Sequence, residues 1–349
     1  MASKITDMEI DIVVPWVDSS DPEWQADKSK YASGNSYGDR PERFRERGLL
    51  KYFFRCMDKN MPWVRKVYFV TRQNIPAWLD DSNPKLRIVK HEEFIPENAL
   101  PCFNSSLLER YLHLIPGLSE HFIYFNDDCY VIAPVSEGYF FKNGLPRDML
   151  AFQPVVANPK DPGMSHLFLN DALVLSRHFD KRQVVKENIG KFFHIGYPPF
   201  YFIYNMLEMC FPKFSGMYSV HSAAPLLKSN FEEVWAKEGQ YLESLAGNRF
   251  RSDSDVNQYL FREWGKLKGR FVPANITRHV MYSEISDDNS RVIKIIESKG
   301  KRFPAPDVKI LCINDTVSSP DDAFVSKQLI DAFESPFGEA SSYEKRSNE

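Results

Sequence analysis

The sharpest chemical signal in the chain is Asn126-Asp127-Asp128, which closes the apolar run Phe122 to Phe125. Two adjacent carboxylates repel each other unless a cation offsets them. Hard carboxylate oxygens suit Mg²⁺ or Mn²⁺, which bridge protein acids to substrate phosphates. A plain strand-end turn is the alternative, since Asn and Asp favour turns in any case. Trp16 to Trp24 (WVDSSDPEW) joins aromatic faces to Asp18 and Asp21, a loop able to stack a base and hydrogen-bond a ribose. Taken alone, it reads as a turn with Asp21-Pro22 opening a helix. Arg43 and Arg47 share one face of an expected helix at i, i+4. Guanidinium forks suit phosphate, although most surface arginines are simply solvated. His194 stands just before Pro198-Pro199, where an imidazole can take a proton or donate to a phosphate. His113 sits one turn past Glu109, a pair that suits a core contact equally well. Arg251 to Gln258 (RSDSDVNQ) gathers a cation, capping hydroxyls, Asp255 and Asn257 at a helix start. Such a start binds anions through its free amides, or is capped by Ser252 or Ser254 and does nothing more.

These groups need a frame, and the hydropathy pattern supplies one. Ile10 to Val17, Lys66 to Thr71, Leu86 to Lys90 and Phe122 to Phe125 predict strands. A helix is expected over Phe44 to Asp58, and another from Ser105, stopped by Pro116-Gly117. That alternation predicts a parallel sheet with helices on both faces. Ligands then sit at the carboxyl ends of the strands, where Trp16 to Asp21, Thr71-Arg72 and Asn126 to Asp128 converge. Asp27 to Asp39 reads as a mobile loop. The second half is more helical: Pro198 to Cys210, Pro225 to Leu245, and a helix from Ser252 to Asp255 through Trp264. Phe271 to Pro273, Arg291 to Ile296 and Val308 to Ile313 read as further strands, and the polar tail beyond Phe337 is expected to fray. The organisation expected is a nucleotide-sugar-binding part over 1–150, a helical acceptor-side part over 151–337, and a tail over 338–349.

Composition narrows the class. The 349 residues carry 44 Lys plus Arg against 47 acids, a net charge of −3 that excludes non-specific nucleic-acid binding. Aromatics at 14% allow a large core, and bulk disorder is excluded. Five scattered cysteines without C-x-x-C form neither a disulfide framework nor a zinc motif, which fits a reducing compartment. The N-terminal apolar run is too short for a signal peptide, and no stretch spans a bilayer. The protein is expected to be cytoplasmic, at most peripheral to the membrane. P-loop, G-x-G-x-x-G and G-x-S-x-G patterns are missing from the sequence.

Four segments in order resemble the Stealth family of sugar-phosphate transferases: Ile10 to Trp24, Arg43 to Val131, the stretch around His194, and Arg251 to Trp264. The second includes PWVRKVYFVT, Ser105-Ser106 with Glu109 and His113, and FIYFNDDCYV. The compact bacterial type is the closer likeness. The resemblance implies a Rossmann-like, GT-A-type α/β fold. It also implies transfer of a hexose-1-phosphate from a UDP-sugar to a glycan or lipid-linked oligosaccharide, with UMP leaving. On that basis Trp16, Asp18 and Asp21 hold the nucleotide, with Arg43, Ser105, Glu109, His113, Asn126 and Asn257 also on the substrate. Asp127 and Asp128 hold Mg²⁺ (or Mn²⁺), helped by Asp255. Arg55, Arg72 and Arg251 offset phosphate charge, and His194 or an acid takes the acceptor proton. Two alternatives stay open: a metal-dependent glycosyltransferase releasing UDP, and a non-catalytic glycan-binding protein.

Overall fold

The computed structural model describes residues 8–32, 41–72, 74–159, 162–286, 288–315 and 322–346. Its main sheet is built from β1 (Ile10–Pro15), β2 (Val67–Val70), β3 (Leu86–Val89), β4 (His121–Tyr124) and β8 (Ala224–Leu227), in the order β3-β2-β1-β4-β8. The first four run parallel and β8 runs antiparallel to β4. A second sheet has the order β10-β11-β5, from Val280–Glu284, Ile310–Asn314 and Cys129–Val131. A third joins β6 (Phe141–Lys142), β7 (Leu145–Asp148) and β9 (Val272–Pro273).

Alternation along the strands divides the core in two. Ile12 and Val14 enter one cluster with Phe53, Phe69, Ile296 and Phe333; Val13 enters the other with Tyr68, Phe122, Phe231 and Trp264. The first face is covered by α2 (Leu50–Asn60), α10 (Ser290–Glu297) and α11 (Asp322–Phe337). The second is covered by α3 (Ser105–Arg110), α8 (Lys228–Ser244) and α9 (Gln258–Leu267). The expected fold class, α/β with a mainly parallel sheet and helices on both faces, is the one found. Between α3 and α8 lie α4 (Glu137–Phe140), α5 (Pro162–His178), α6 (Lys181–Phe192) and α7 (Pro199–Met209).

Several local expectations change. Ala224 to Leu227 opens the expected helix at Pro225 but is a strand, because all four residues are buried against β4 at the sheet's edge. Proline is tolerated on an edge strand because its missing N–H has no ladder partner to fail. Arg291 to Ile296, a β-branched run expected as a strand, is helical: Val292, Ile295 and Ile296 share the buried face. Asp27 to Tyr31 belongs to α1 (Pro22–Tyr31), while Gly34 to Asp39 lie outside the described residues. The tail does not fray over its described part. Leu79 bridges Glu344, Tyr343 is buried, and Ser342 N–H donates to Asp58 Oδ2 over 2.7 Å.

Candidate active site

The strand order 3-2-1-4 places the topological switch point between β1 and β4, and ligands of open α/β sheets bind outside the carboxyl ends there. Beyond β1, an open cleft of about 520 Å³ is lined by Trp16, Asp18, Asp21, Glu46, Lys51 and Trp78, among others. Trp16 packs its ring 5.5 Å from Phe69 and is almost wholly buried, so it is a wall of the cleft and not an open stacking platform. Its indole N–H is buried without a partner, which suits a ligand acceptor. Asp21 caps α1, accepting from Glu23 N–H at 2.8 Å and Trp24 N–H at 3.3 Å, and Asp18 accepts from Ser20 N–H at 2.8 Å. Trp24 is core, against Phe44 and Phe103. Glu46, not singled out in the sequence, accepts from the N–H groups of Gly48, Leu49 and Leu50 at the start of α2. Gly48 permits that turn with φ at 75°.

Beyond β4 stands the acidic pair. Asn126 turns the chain through its carbonyl, which accepts from Cys129 N–H at 3.1 Å. Burial first, then the charges of Asp128 and Glu46, push the Asp127 carboxyl up to about 7. Asp128 meets His221, whose Nε2 lies 3.1 Å from Oδ2 and 3.3 Å from Oδ1. Burial disfavours the His221 cation, but the Asp128 charge and hydrogen bond outweigh it and raise the imidazole above its ordinary pKa. The antiparallel register explains the meeting: Tyr124 pairs with Ala224, so the residues entering β8 lie beside those leaving β4. The sequence held that signal only for a reader who took Ala224 to Leu227 as a strand.

On the other side, Tyr124 Oη donates to Glu109 at 2.9 Å, and Gln258 N–H donates to the same carboxylate at 3.2 Å. Burial raises the Glu109 pKa, with those two hydrogen bonds and the Arg251 and His221 charges opposing. Arg251 donates to Ser105 Oγ at 3.1 Å. Ser105, Glu109, Asp127, Asp128 and Arg251, though far apart in sequence, therefore gather with His221 around the end of β4.

Other expected site residues lie elsewhere. Arg55 is committed to Glu344, at 2.8 and 2.9 Å, and to the Phe337 carbonyl, where it clamps the C-terminal segment. Arg72 pairs with Asp27 at 2.6 Å and lies over the Phe103 ring. Arg43 lies in a 3-10 turn (Pro41–Phe44) that stops before Arg47, so the two share no helix face, and Arg47 is bound to Asp315 at 2.8 Å. His113 stacks on Phe231 and faces Trp235, a core histidine. Asp255 is not beside the acidic pair as a ligand; Asn104, Asn248 and Ser252 N–H fill its carboxylate at 2.8 to 2.9 Å. Asn257 caps α9. His194 lies on the loop into α7, accepting from Gly196 N–H at 3.2 Å, and among the described residues no hydrogen bond joins it to the pair.

The donor set fits a divalent cation. Asp128, Cys129 and His221 present an oxygen, a sulfur and a nitrogen within 4.8 Å of one another. Burial holds the Cys129 thiol protonated, and Cys312 Sγ lies 3.0 Å away. The Asp128 carboxylate and the His221 imidazole are thus the candidate donors, with Asp127 next to them in the chain but outside that group. Burial is the larger cause of the raised Asp127 pKa; the Asp128 and Glu46 charges add to it, and a cation there would offset that second part.

Comparisons with known proteins identify the family. Residues 8–36 match Stealth protein CR1, conserved region 1, and residues 43–148 match Stealth protein CR2, conserved region 2. The capsular polysaccharide phosphotransferase WcwK of Streptococcus pneumoniae is 37% identical over 97% of this chain and 98% of its own. The receptor polysaccharide phosphotransferase WefC of Streptococcus oralis is 36% identical over 96% and 99%. The exopolysaccharide phosphotransferase cps2G of Lactiplantibacillus plantarum is 34% identical over 97% and 96%. A solved galactosyltransferase, LgtC with donor and acceptor sugar analogues, covers 93% of this chain and 95% of its own at 10% identity, with a TM-score of 0.40. With full-length relatives at this identity and both conserved regions in place, the chain belongs to the Stealth family and is a phosphotransferase enzyme.

Proposed function

We propose that the enzyme transfers a hexose-1-phosphate, or an N-acetylhexosamine-1-phosphate, from a UDP-sugar to a glycan hydroxyl. A phosphodiester forms and UMP leaves, in capsular or cell-surface polysaccharide synthesis, with a glycan or lipid-linked oligosaccharide as acceptor. The acceptor oxygen bonds to the phosphorus that carries the sugar, and the bond from that phosphorus to the UMP oxygen breaks. The observation that carries this reading is the Asp127-Asp128 pair at the switch point, with His221 on Asp128 and Glu46 linking it to the open cleft.

In this reading the cleft beyond β1 takes the nucleotide, and the Trp16 N–H supplies a donor already stripped of water. Asp127 and Asp128, with His221, would hold Mg²⁺ or Mn²⁺; when bound, the ion supplies charge neutralisation on the diphosphate. Arg251, which donates to Ser105, would offset charge on the transferred phosphoryl group, the kind of stabilisation that dominates catalysis in such reactions. His194 or one of the acids takes the acceptor proton. The test is incubation with a panel of UDP-hexoses, Mg²⁺ and glycan primers, followed by phosphorus NMR. A phosphodiester resonance with UMP release is expected; release of UDP would show glycosyl transfer, and no turnover with any donor would show a binding protein.

A further inference from the structure

α7 is built inside out. Its polar side chains point inward: Asn205 accepts from Phe152 N–H at 2.8 Å and donates to the Phe192 carbonyl at 2.7 Å. Glu208 is buried, accepts from Ser215 Oγ and lies 3.7 Å from Lys181 Nζ. Its outward side is apolar. Phe200, Ile203, Met206 and Leu207 fall at helical spacing and are each 53–61% exposed, with Phe211 at 57% just beyond the helix and Ile195 at 94% just before it. The buried hydrogen bonds of Asn205 and Glu208 pin the helix's rotation, so this face cannot turn into the core without stranding them.

The charge around the face says what covers it. Lys181 to Lys213 holds five Lys or Arg against two Glu, in a chain whose net charge is −3. Glu208 and Lys181 are buried together and Lys191 is half-buried, which leaves Arg182, Lys186 and Lys213 exposed against Glu187 and the α6 cap Asp180. A second copy seated here would bring like charges together, whereas an anionic bilayer offers both hydrocarbon and negative headgroups. No helix among the described residues is long and apolar enough to cross a membrane, so the segment lies on the surface.

We infer that the exposed face of α7, with the exposed cations Arg182 and Lys186 on α6 and Lys213 just past α7, docks this enzyme on an anionic lipid surface. The inference extends the acceptor side of the proposed function: His194 lies on the loop entering α7, so the same contact brings the site to an acceptor held in the membrane.

The test is sedimentation of the full chain with phosphatidylcholine vesicles, with and without phosphatidylglycerol, in the absence of donor and acceptor. The enzyme is expected to pellet with the phosphatidylglycerol vesicles. Partition should fall about tenfold or more in Phe200→Ser/Ile203→Ser/Leu207→Ser, and likewise in Arg182→Glu/Lys186→Glu/Lys213→Glu. All six positions are exposed, so both variants should keep the wild-type unfolding midpoint, and the charge variant serves if the serine variant misfolds. No binding by wild type, or equal binding by both variants, overturns the inference. So does light scattering that finds a dimer dissociated by the serine substitutions. Because no turnover is read, failure here leaves the transfer chemistry standing, and failure of that chemistry leaves vesicle binding to be judged alone.

Discussion

His221 and Asp128 are joined at 3.1 Å although they lie 93 residues apart. The contact joins two groups proposed to hold the cation, and losing such an interaction at a metal site costs on the order of 10–100-fold in affinity or activity. His221→Ala should lower kcat/KM for the UDP-sugar by ~10–100-fold, with His221→Gln recovering part. A loss under about threefold would place the histidine outside the site.

Asp127→Ala should abolish turnover with the fold intact, and EDTA should do the same reversibly on adding back Mg²⁺ or Mn²⁺. Circular dichroism checks the fold. Retention of more than roughly a tenth of the activity would contradict a role in holding the metal.

Arg55 separates the expected phosphate role from the observed clamp. Its charged hydrogen bonds to Glu344, with both side chains about 10% exposed, should make Arg55→Ala destabilising by ~1–3 kcal/mol. Glu344→Ala should cost a comparable amount, read as a drop in the urea midpoint. Activity per folded molecule should not change. A fall in kcat/KM without a stability loss would return Arg55 to the substrate.

Asp148 and Arg262 form a buried bidentate pair at 2.6 and 2.9 Å, tying β7 to α9. Arg262→Met removes the ion-pair partner of the buried Asp148 and leaves it the Met149 N–H at 2.7 Å, a change expected to cost about 3–5 kcal/mol. Thermal unfolding reads it, and Asp148→Asn added to Arg262→Met should recover part of the loss.

Acid stability should follow His91 and His113. Burial, with nearby Arg72 and Lys90 charges, lowers His91 to about 3, and burial with the Lys228 charge lowers His113 to about 4. Below the ordinary histidine value of about 6.5 the unfolded chain binds protons that the folded one refuses, so acidification favours unfolding. The unfolding midpoint should fall as pH drops from about 6.5 toward 4, and His113→Phe should flatten that fall. An unchanged slope in the variant would show that His113 titrates normally in the fold.

Much of the frame was legible because it is local. The runs that form β1 to β4 are short, apolar and bounded by turn residues, and their alternation with helices predicts a parallel sheet whose carboxyl ends carry Trp16 to Asp21 and Asn126 to Asp128. Two carboxylates at a strand end announce their own electrostatic problem, whatever lies around them. Family resemblance was equally legible, since it rests on ordered motifs.

The rest depended on packing between distant segments. Ala224 to Leu227 is four apolar residues with a proline, a string that reads as helix or strand until β4 supplies a partner. Only that pairing brings His221 to Asp128. Arg55 carries the right chemistry for phosphate, yet Glu344 reaches it first, from nearly 300 residues along the chain (289 positions away). A side chain's type limits what it can bind; which partner it meets is decided by the fold, because hydrogen bonds and ion pairs form between neighbours in space.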